Sequence, residues 1–514
     1  MSREEKIEKI FSVIGRTNNK RLGRCFKTKK NNYYFDTGTG KVFSVEDDVY
    51  YVLKRILDNT DVNTMIDDSA ISLRAVDEVL NTITTENILL APQLENFIGP
   101  QISDLDERLN MQRKQVTLEL TERCNLRCKY CLYNVEQGGY RQFGTRDMTF
   151  DIAKKAIDDL MRNSGDESVY VSFYGGEPLL KFDLLKECID YCESLRDRDI
   201  TYAITTNGTL ITRDIADYFA ALGNKIHITL SIDGPQSLND KNRVYINGMG
   251  SFSDVMKGLQ NLLDAFDDKE QLSLGINSVL AEPTRESFNM MEDFFGGLND
   301  LPKNVVYTSS FVATKDESIP YPGVDSDTER EVIYGQQVSG YFDPLFEWAT
   351  AKMDEIDLTE KKIARDNIVK ELALIHKRLL FDKPMDQYYL NGCCVPGARR
   401  VYVTTQGDYL ICEKLGPSPT IGNVNTGLDI DKIKKVFVKE FCDQAKLYCK
   451  DCWAVHLCGM CYMNSFDEDG VNLGYRHSKC MMNRIYMQKD LELYHEILEN
   501  NPDALHIVDE YDFV

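Results

Sequence analysis

The sequence shows few of the features that are typical of membrane proteins, secreted proteins and nucleic-acid-binding proteins. Its 514 residues include no apolar run close to the length of a membrane span, which argues against a transmembrane protein. The N-terminus, MSREEKIEKI, is charged where a secretory signal peptide is apolar, so we expect a cytoplasmic protein. Basic residues are outnumbered, because 60 Lys and Arg face 82 Asp and Glu. The net charge of −22 argues against a surface for nucleic acid, whose phosphates require a basic patch.

Cysteine, in contrast, is abundant. The chain contains 15 cysteines, many of them at short spacings, and in a reducing cytosol such groups are more often metal ligands than disulfides. Hydrophobic residues make up 43% and charged residues 28%, which is typical of a globular protein. The length predicts roughly two to four domains.

The densest group of cysteines follows a predicted strand. Residues 116–120, VTLEL, alternate apolar and polar side chains, the period of a strand with one buried face. Cys124, Cys128 and Cys131 come next, at the C-terminal end of that strand, where parallel α/β folds collect their ligands. Structural zinc takes four protein ligands, so three thiolates suit an iron-sulfur cluster that leaves one iron free. A zinc knuckle or a chance group is the alternative.

These three cysteines, with Tyr130, resemble the signature of the radical S-adenosylmethionine (radical SAM) enzymes. The resemblance implies that the cysteines hold a 4Fe-4S cluster whose open iron chelates the amino and carboxylate groups of SAM. An electron from a donor such as flavodoxin or ferredoxin then leads to cleavage of a carbon–sulfur bond. The product is a 5'-deoxyadenosyl radical, and the protein supplies position and shielding.

From residue 110 to 312 strand and helix patterns alternate. This order predicts a parallel α/β sheet with crossover helices, and six strands predict a partial (β/α)6 barrel. The predicted strands are residues 116–120, 168–174, 200–205, 225–232, 272–280 and 305–312.

The loop after the second predicted strand carries a further motif of that family. Gly175, Gly176, Glu177 and Pro178 form a GGEP stretch, in which the glycines allow close backbone approach. By resemblance, Glu177 or nearby carbonyl groups receive the ammonium group of the methionine moiety.

The next two loops continue the resemblance. Asn207 belongs to a TNG stretch, and Ser231 and Asp233 belong to an SIDG stretch that Arg243 follows. Ser231 is expected to bond the ribose or carboxylate of SAM. Arg243 is expected to clamp the carboxylate, which a guanidinium group binds well, and we count it with the three cysteines as catalytic.

The last part of the chain, residues 391–514, carries a second series of cysteines. It resembles the SPASM extension of radical SAM enzymes, which holds two auxiliary 4Fe-4S clusters. The resemblance gives one cluster four cysteines and the other three, namely Cys449, Cys452, Cys458 and Cys480, and Cys394, Cys412 and Cys461. The fourth ligand of the second set stays undecided between Cys393, Cys442 and an open iron position. Zinc is the alternative for these cysteines.

Residues 1–100 are predicted to form a separate module. Two strand-like runs flank a turn at residues 37–41, and helical patterns at residues 49–57 and 73–83 complete a winged helix-turn-helix-like fold. Before a radical SAM core, such a module resembles the leader-recognition element of enzymes that modify ribosomally made peptides. These elements add the leader as a strand to a sheet edge. The alternative is a cap that shields the barrel. Residues 313–390 are predicted to be bridging helices.

Together these motifs predict a maturase of a ribosomally synthesised precursor peptide, with SAM and three 4Fe-4S clusters as cofactors. The favoured product is a thioether from a core-peptide cysteine to a carbon atom, as in sactipeptides and ranthipeptides. Carbon–carbon crosslinking and sulfatase-type oxidation to formylglycine are the enzymatic alternatives. A nonenzymatic iron-sulfur electron carrier is the alternative from another class, although it would not need the GGEP and SIDG loops.

Overall fold

The structure is a computed structural model. It describes residues 1–15, 19–134, 142–165, 168–195, 198–281, 284–311, 362–415, 418–509 and 511. Most of the predicted bridging region, residues 313–361, lies outside the described residues.

The N-terminal module combines helices with a three-stranded antiparallel sheet, in which β3 lies between β2 and β4. The strands around the predicted turn are confirmed, and Gly40 supports the turn with a φ of +71°. Apolar side chains of four helices and of β3 form one core. The elements are α1 Arg3–Ile14, β1 Asn19–Lys20, β2 Gly23–Lys27, β3 Asn32–Asp36, β4 Val42–Val45, α2 Asp47–Leu57, α3 Val62–Asp67, α4 Leu73–Glu86, β5 Ala91–Pro92 and β6 Phe97–Ile98.

The second part of the fold is a parallel sheet with helices between its strands. All six predicted strands are confirmed, and each pairs in parallel with the next one in the sequence. The strands are β7 Gln115–Glu119, β8 Val169–Tyr174, β9 Ile200–Thr206, β10 Ile226–Ser231, β11 Ser273–Leu280 and β12 Val306–Phe311. The helices are α5 Leu105–Met111, α6 Phe150–Arg162, α7 Phe182–Ser194, α8 Arg213–Leu222, α9 Gln236–Asn242, α10 Phe252–Ala265 and α11 Arg285–Gly296.

One set of alternate side chains in these strands packs under the helices. Val116, Leu118, Val171 and Phe173 belong to the large apolar core. The other set, which includes Glu119, is more polar. This division follows from the two-residue period of a strand.

The C-terminal part extends the same sheet. β14 pairs in parallel with β7, with Val401 opposite Val116, and three antiparallel strands follow. The sheet therefore has ten strands and crosses the boundary that the sequence placed at residue 391. The elements are α12 Lys362–His376, β13 Tyr388–Tyr389, β14 Val401–Val403, β15 Asp408–Leu410, β16 Gly422–Asn423, β17 Gly427–Leu428, α13 Ile430–Lys432, α14 Phe441–Cys449, β18 Phe466–Asp467, β19 Gly470–Val471, α15 Leu473–Asn500 and α16 His506–Asp509.

The two ends of the chain pack together. Phe26 and Tyr33 of the N-terminal sheet join Trp453 and residues of α12 and α15 in a second apolar core. His495 of α15 lies in that core, with its ring centre 4.8 Å from that of Tyr33. Within the described part of the chain, every helix is too short or too polar to span a bilayer.

Candidate active site

The first cysteine group lies on the loop that leaves β7. Burial raises the pKa of Cys124 to about 12 and that of Cys128 to about 11, and it also raises the pKa of Cys131. The neighbouring thiols of Cys128 and Cys131 add to the rise in the pKa of Cys124. A metal centre at this loop must displace their protons, because the thiolate is the ligand form.

The cysteine loop is braced by the chain segment that follows α9. The backbone N–H of Arg127 donates to the carbonyl of Val244 at 2.7 Å, and that of Lys129 donates to the carbonyl of Asn242 at 3.1 Å. Because the contacts join backbones, the position of the cysteines depends on the path of this segment.

The two glycines of the GGEP stretch touch the backbone just before Cys124. A Cβ atom at Gly175, whose φ is +137°, would lie 2.4 Å from the Thr121 carbonyl oxygen. At Gly176 the corresponding distance to the Arg123 carbonyl oxygen would be 2.1 Å. No other residue fits at either position without displacing the loop. The glycines therefore hold the ends of β7 and β8 together.

Glu177 is buried, and its carboxylate is already bonded within the protein. One oxygen accepts from the Thr206 hydroxyl at 2.6 Å and the Leu179 N–H at 3.0 Å, and the other accepts from the Asn207 N–H at 2.8 Å. Burial raises the pKa of this carboxyl group, and the three hydrogen bonds oppose the rise. The protein itself thus occupies three of the roughly four acceptor sites of this carboxylate. Pro178 begins a 3-10 helix directly after it.

Asn207 links the end of β9 to the first cysteine. Its side-chain amide donates to Oδ1 of Asn125 at 2.9 Å and contacts the sulfur of Cys124 at 3.9 Å. The Thr209 hydroxyl donates to its amide oxygen at 2.7 Å, which fixes the orientation of the amide. The third motif thus lies beside the first.

Asp233 connects three elements at the end of β10. Its Oδ1 accepts from Nε of Arg243 and from the N–H of Val279, both at 2.9 Å, and its Oδ2 accepts from the Tyr130 hydroxyl. The guanidinium carbon of Arg243 is 5.5 Å from the centre of the Tyr130 ring. Its positive charge also opposes the burial-induced rise in the pKa of Cys128.

Ser231 is the last residue of β10 and is half-buried. It lies opposite Asn277 of β11 in the strand register. Ser231 therefore lies on the same sheet edge as the other motif residues.

One polar group beside the cysteine loop is absent from the sequence prediction. Glu119 accepts hydrogen bonds from the Tyr133 hydroxyl at 2.8 Å and from the N–H of Thr405 at 3.2 Å. The Tyr133 hydroxyl also lies 3.3 Å from that of Tyr402 on β14. The sequence could have indicated Glu119, because it is a charged residue in a strand of alternating apolar and polar side chains. It could not have indicated Tyr402, because the approach of Tyr402 depends on the long-range pairing of β14 with β7.

The C-terminal cysteines lie in two groups. One cavity is lined by Cys449, Cys452, Cys458 and Cys480, together with Cys393. The other set contains Cys394, Cys412 and Cys461. Burial raises the pKa of Cys412 to about 11, and the nearby thiol of Cys461 adds to the rise. Burial also raises the pKa of Cys461, and Cys394 adds to that rise.

Adjacent Cys393 and Cys394 belong to different sets. Cys393 contacts the carbonyl of Met460 at 3.6 Å and lines the first cavity. Cys394 lies near Cys461 and the guanidinium of Arg399, which contacts its sulfur at 4.0 Å. The two adjacent thiols therefore face different surroundings.

Across the described ranges, no three His, Cys, Asp or Glu side chains are placed to ligate one metal ion. The ligands of a four-iron cluster bind separate iron atoms, so this spacing is not an objection to a cluster. The possible ligands are all thiols, which suit an iron-sulfur cluster. Where Gly175 and Gly176 contact the cysteine loop, they present backbone atoms to it and no side chains.

Comparison with known proteins agrees with this arrangement. Residues 118–291 match the Radical SAM superfamily. An uncharacterized protein of Methanocaldococcus jannaschii is 30% identical over 329 residues, which cover 63% of this chain and 93% of that protein. A cysteine-type anaerobic sulfatase-maturating enzyme of Clostridium novyi is 30% identical over 179 residues, 34% of this chain and 45% of that enzyme. This match therefore spans less than half of the enzyme.

A solved structure has the same fold. The structure of native anSMEcpe with bound AdoMet aligns with a TM-score of 0.52 and 18% identity, over 77% of this chain and 99% of that one. On the family match and the full-length relative, the chain belongs to the radical SAM superfamily, whose enzymes use SAM and a 4Fe-4S cluster.

Proposed function

We propose that this chain is a peptide maturase that binds a precursor through its N-terminal module and forms thioethers from cysteines of that peptide. The observation that carries the proposal is the presence, in one chain, of the SAM-type cysteine loop, two further cysteine sets and a module with an open sheet edge.

The cysteine loop is the proposed radical site. Cys124, Cys128 and Cys131 would hold the 4Fe-4S cluster, which with bound SAM supplies the 5'-deoxyadenosyl radical. Arg243, fixed by Asp233, offers a buried cation for the SAM carboxylate. The other motif residues, Asn207 and the two glycines, fix the relative positions of the strand ends.

The edge of β4 is the proposed binding site for the leader. The N–H of Asp36 donates to the carbonyl of Lys41 at 2.9 Å, so these two form a hydrogen-bonded pair. Antiparallel pairs alternate, and the backbone groups of Val42 and Ser44 therefore point away from β3. An extended peptide can pair with these groups, as in other cases of strand addition.

The chemistry of thioether formation requires an electron acceptor. Joining carbon and sulfur removes one hydrogen atom from the carbon and one proton from the thiol, and one electron is left over. Clusters at the two C-terminal cysteine sets would supply this acceptor. Cys393 lines the other cavity, so Cys442 is the remaining protein candidate for a fourth ligand beside Cys394, Cys412 and Cys461. An open iron position in this set would suit a substrate thiolate.

The matched sulfatase-maturating enzyme makes formylglycine formation the second candidate. The N-terminal module favours a leader-bearing peptide over a sulfatase. Carbon–carbon crosslinking uses the same radical site and is separated from thioether formation only by the product.

The test is anaerobic incubation of the cluster-loaded enzyme with SAM, a reductant and a cysteine-containing precursor peptide encoded beside its gene. A thioether removes two hydrogens per crosslink and blocks alkylation of the cysteine by iodoacetamide. A carbon–carbon crosslink also removes two hydrogens but leaves the thiol reactive, and formylglycine replaces the thiol by an aldehyde. An unmodified peptide, with SAM cleavage intact, would contradict the proposal.

A further inference from the structure

A chain of hydrogen bonds joins the parallel sheet to the loop that follows Cys412. The side-chain amide of Gln115 on β7 donates to the Ser172 hydroxyl on β8 at 2.6 Å, and its oxygen accepts from Nε of Arg400 at 3.1 Å. Nη1 of Arg400 donates to both carboxylate oxygens of Glu413, at 2.5 and 2.6 Å. Glu413 directly follows Cys412 in the sequence. Arg400 thus connects the sheet to a proposed cluster ligand.

The ion pair of Arg400 and Glu413 is largely shielded from solvent. The side chain of Arg400 is 29% exposed and that of Glu413 is 11% exposed. Partly buried charges are screened much less than surface charges, so they act strongly on groups nearby. Because both Nε and Nη1 are engaged, the guanidinium group is also held in one place.

Both members of this ion pair lie near the same cysteines. We call Cys394, Cys412 and Cys461 the three-cysteine set. Burial lowers the pKa of Arg400, and Glu413 raises it. The thiols of Cys412 and Cys394 raise it further, so that it lies above its usual value. Burial raises the pKa of Cys412, and Glu413 adds to that rise. The adjacent guanidinium of Arg399 contacts the sulfur of Cys394 at 4.0 Å.

The other C-terminal cysteines have different polar neighbours. We call Cys449, Cys452, Cys458 and Cys480 the four-cysteine set. Burial raises the pKa of Cys452, and the cation that opposes this rise is Arg484. The side-chain amide of Asn483 contacts the sulfur of Cys458 at 3.5 Å. Both neighbours belong to α15, so the two sets have separate electrostatic surroundings.

We propose that Arg400 raises the reduction potential of the cluster held by the three-cysteine set, and that Glu413 opposes this rise. The inference rests on the proposed function, in which a C-terminal cluster takes up the electron left over from thioether formation. Reduction adds one negative charge to the cluster, which a nearby cation stabilises and a nearby anion destabilises. The cluster gains the electron, and no bond of the ion pair forms or breaks. Arg400 thereby makes this cluster the better electron acceptor.

The experiment compares Arg400→Gln, Glu413→Gln and the double variant with the wild type. Arg400→Lys is the conservative variant, because it keeps the positive charge. Arg213→Gln and Asp217→Asn are matched controls, since these residues form an ion pair at 2.8 Å on α8 and are each about half exposed.

The reduction potential of each cluster is measured by anaerobic potentiometric titration with detection by EPR spectroscopy. All proteins are used fully loaded, with measured iron content. The signals are assigned by comparison with Cys124→Ala and Cys449→Ala, each of which lacks one of the other two clusters.

Arg400→Gln is expected to lower the potential of the three-cysteine cluster, because it leaves the negative charge of Glu413 unpaired. A tenfold smaller ratio of reduced to oxidised cluster corresponds to a shift of about 59 mV for one electron. Glu413→Gln is expected to raise the potential by a similar amount, because it leaves the positive charge unpaired. The double variant, Arg400→Lys and the two controls should stay near the wild type. The cluster of the four-cysteine set should shift less in every variant.

Shifts of the same sign in Arg400→Gln and Glu413→Gln would overturn the inference, because a distorted loop does not follow the sign of the lost charge. The absence of a shift in both variants would also overturn it, and so would an equal shift of the four-cysteine cluster. If Arg400→Gln loses about four iron atoms, Glu413→Gln decides, since a rise supports the inference and any other result contradicts it. Failure of the proposed function is distinguishable, because it would appear as an unmodified peptide while the potentials still shift in opposite directions.

Discussion

Asp233 holds Arg243 beside the cysteine loop. Nε of Arg243 lies 2.9 Å from Oδ1 of Asp233, and both side chains are buried. A buried cation next to the proposed SAM site is stable only with such a partner, because an unpaired buried charge is strongly unfavourable. Asp233 is therefore a positioning residue for Arg243.

We expect Asp233→Asn to weaken SAM binding by about tenfold or more, since the neutral side chain no longer fixes the guanidinium group. Isothermal titration with the cluster-loaded protein measures the affinity. Asp254→Asn is the control, because that carboxylate accepts from the Tyr245 hydroxyl on an exposed surface. Unchanged affinity in Asp233→Asn would show that Arg243 is not the carboxylate ligand or does not need its partner.

The β4 edge can be tested by a single proline. Ser44→Pro removes an N–H group that points away from β3, so the sheet should persist while the leader loses a hydrogen bond. We expect leader affinity to fall about tenfold, measured by fluorescence polarisation of a labelled leader peptide. Ser44→Ala keeps the N–H group and should bind like the wild type. Equal affinity in both variants would leave the module only the role of a cap.

Deleting residues 1–100 is a less specific experiment. The deletion would also expose the apolar surface of Trp453 and α15 that Phe26 and Tyr33 cover. If the deletion variant stays folded, we expect peptide processing to fall much more than SAM cleavage without peptide.

Because Cys393 and Cys394 lie in different C-terminal cysteine sets, we expect their substitution by alanine to have different effects on iron content. Cys394→Ala should remove about one cluster's four iron atoms, because Cys394 lies with Cys461. Cys393→Ala and Cys442→Ala should keep that cluster and thioether formation. Adding a cysteine-containing peptide should then change the spectrum of the cluster. Loss of this cluster in either of the last two variants would identify a fourth protein ligand and remove direct thiolate binding from the mechanism.

Acidification should loosen the contact between the two ends of the chain. Burial between Phe26 and Tyr33 lowers the pKa of His495 to about 4, below its usual value of 6.5. The contribution of neutral, buried His495 to the free energy of unfolding is complete above pH 6.5. This contribution is lost as the pH falls towards 4, because only the unfolded chain binds the proton in that range. The loss approaches about 3 kcal/mol.

The fluorescence of Trp453, which lies in the same core, can follow this transition during urea unfolding at pH 7 and pH 5. We expect a lower midpoint at pH 5 in the wild type and a smaller difference in His495→Phe. The same pH dependence in both proteins would rule out His495 as its source.

The sequence was most informative where structure is determined locally. All six parallel strands were predicted, because alternating side chains and the glycines at the strand ends are visible within short windows. The extension of the sheet was not, since β14 has only three residues and its pairing with β7 joins Val401 to Val116 across the chain. No local pattern distinguishes such a strand from a loop.

Within the site, residue types were predictable and their contacts were not. The cysteines and the GGEP, TNG and SIDG stretches were found, and the structure gathers them at one sheet edge. Glu177 accepts hydrogen bonds from Thr206 and Asn207, and these contacts depend on the relative position of β8 and β9. The contact of Tyr133 with Tyr402 likewise requires the docking of the C-terminal strand.

The most direct test of the account is the release of 5'-deoxyadenosine during anaerobic incubation with SAM and dithionite. We expect release by the fully reconstituted wild type, and none by Cys124→Ala, Cys128→Ala or Cys131→Ala. These variants should lose about four iron atoms while the two C-terminal sets stay loaded. No release by the loaded wild type, or equal release by the three variants, would contradict the assignment of the radical site.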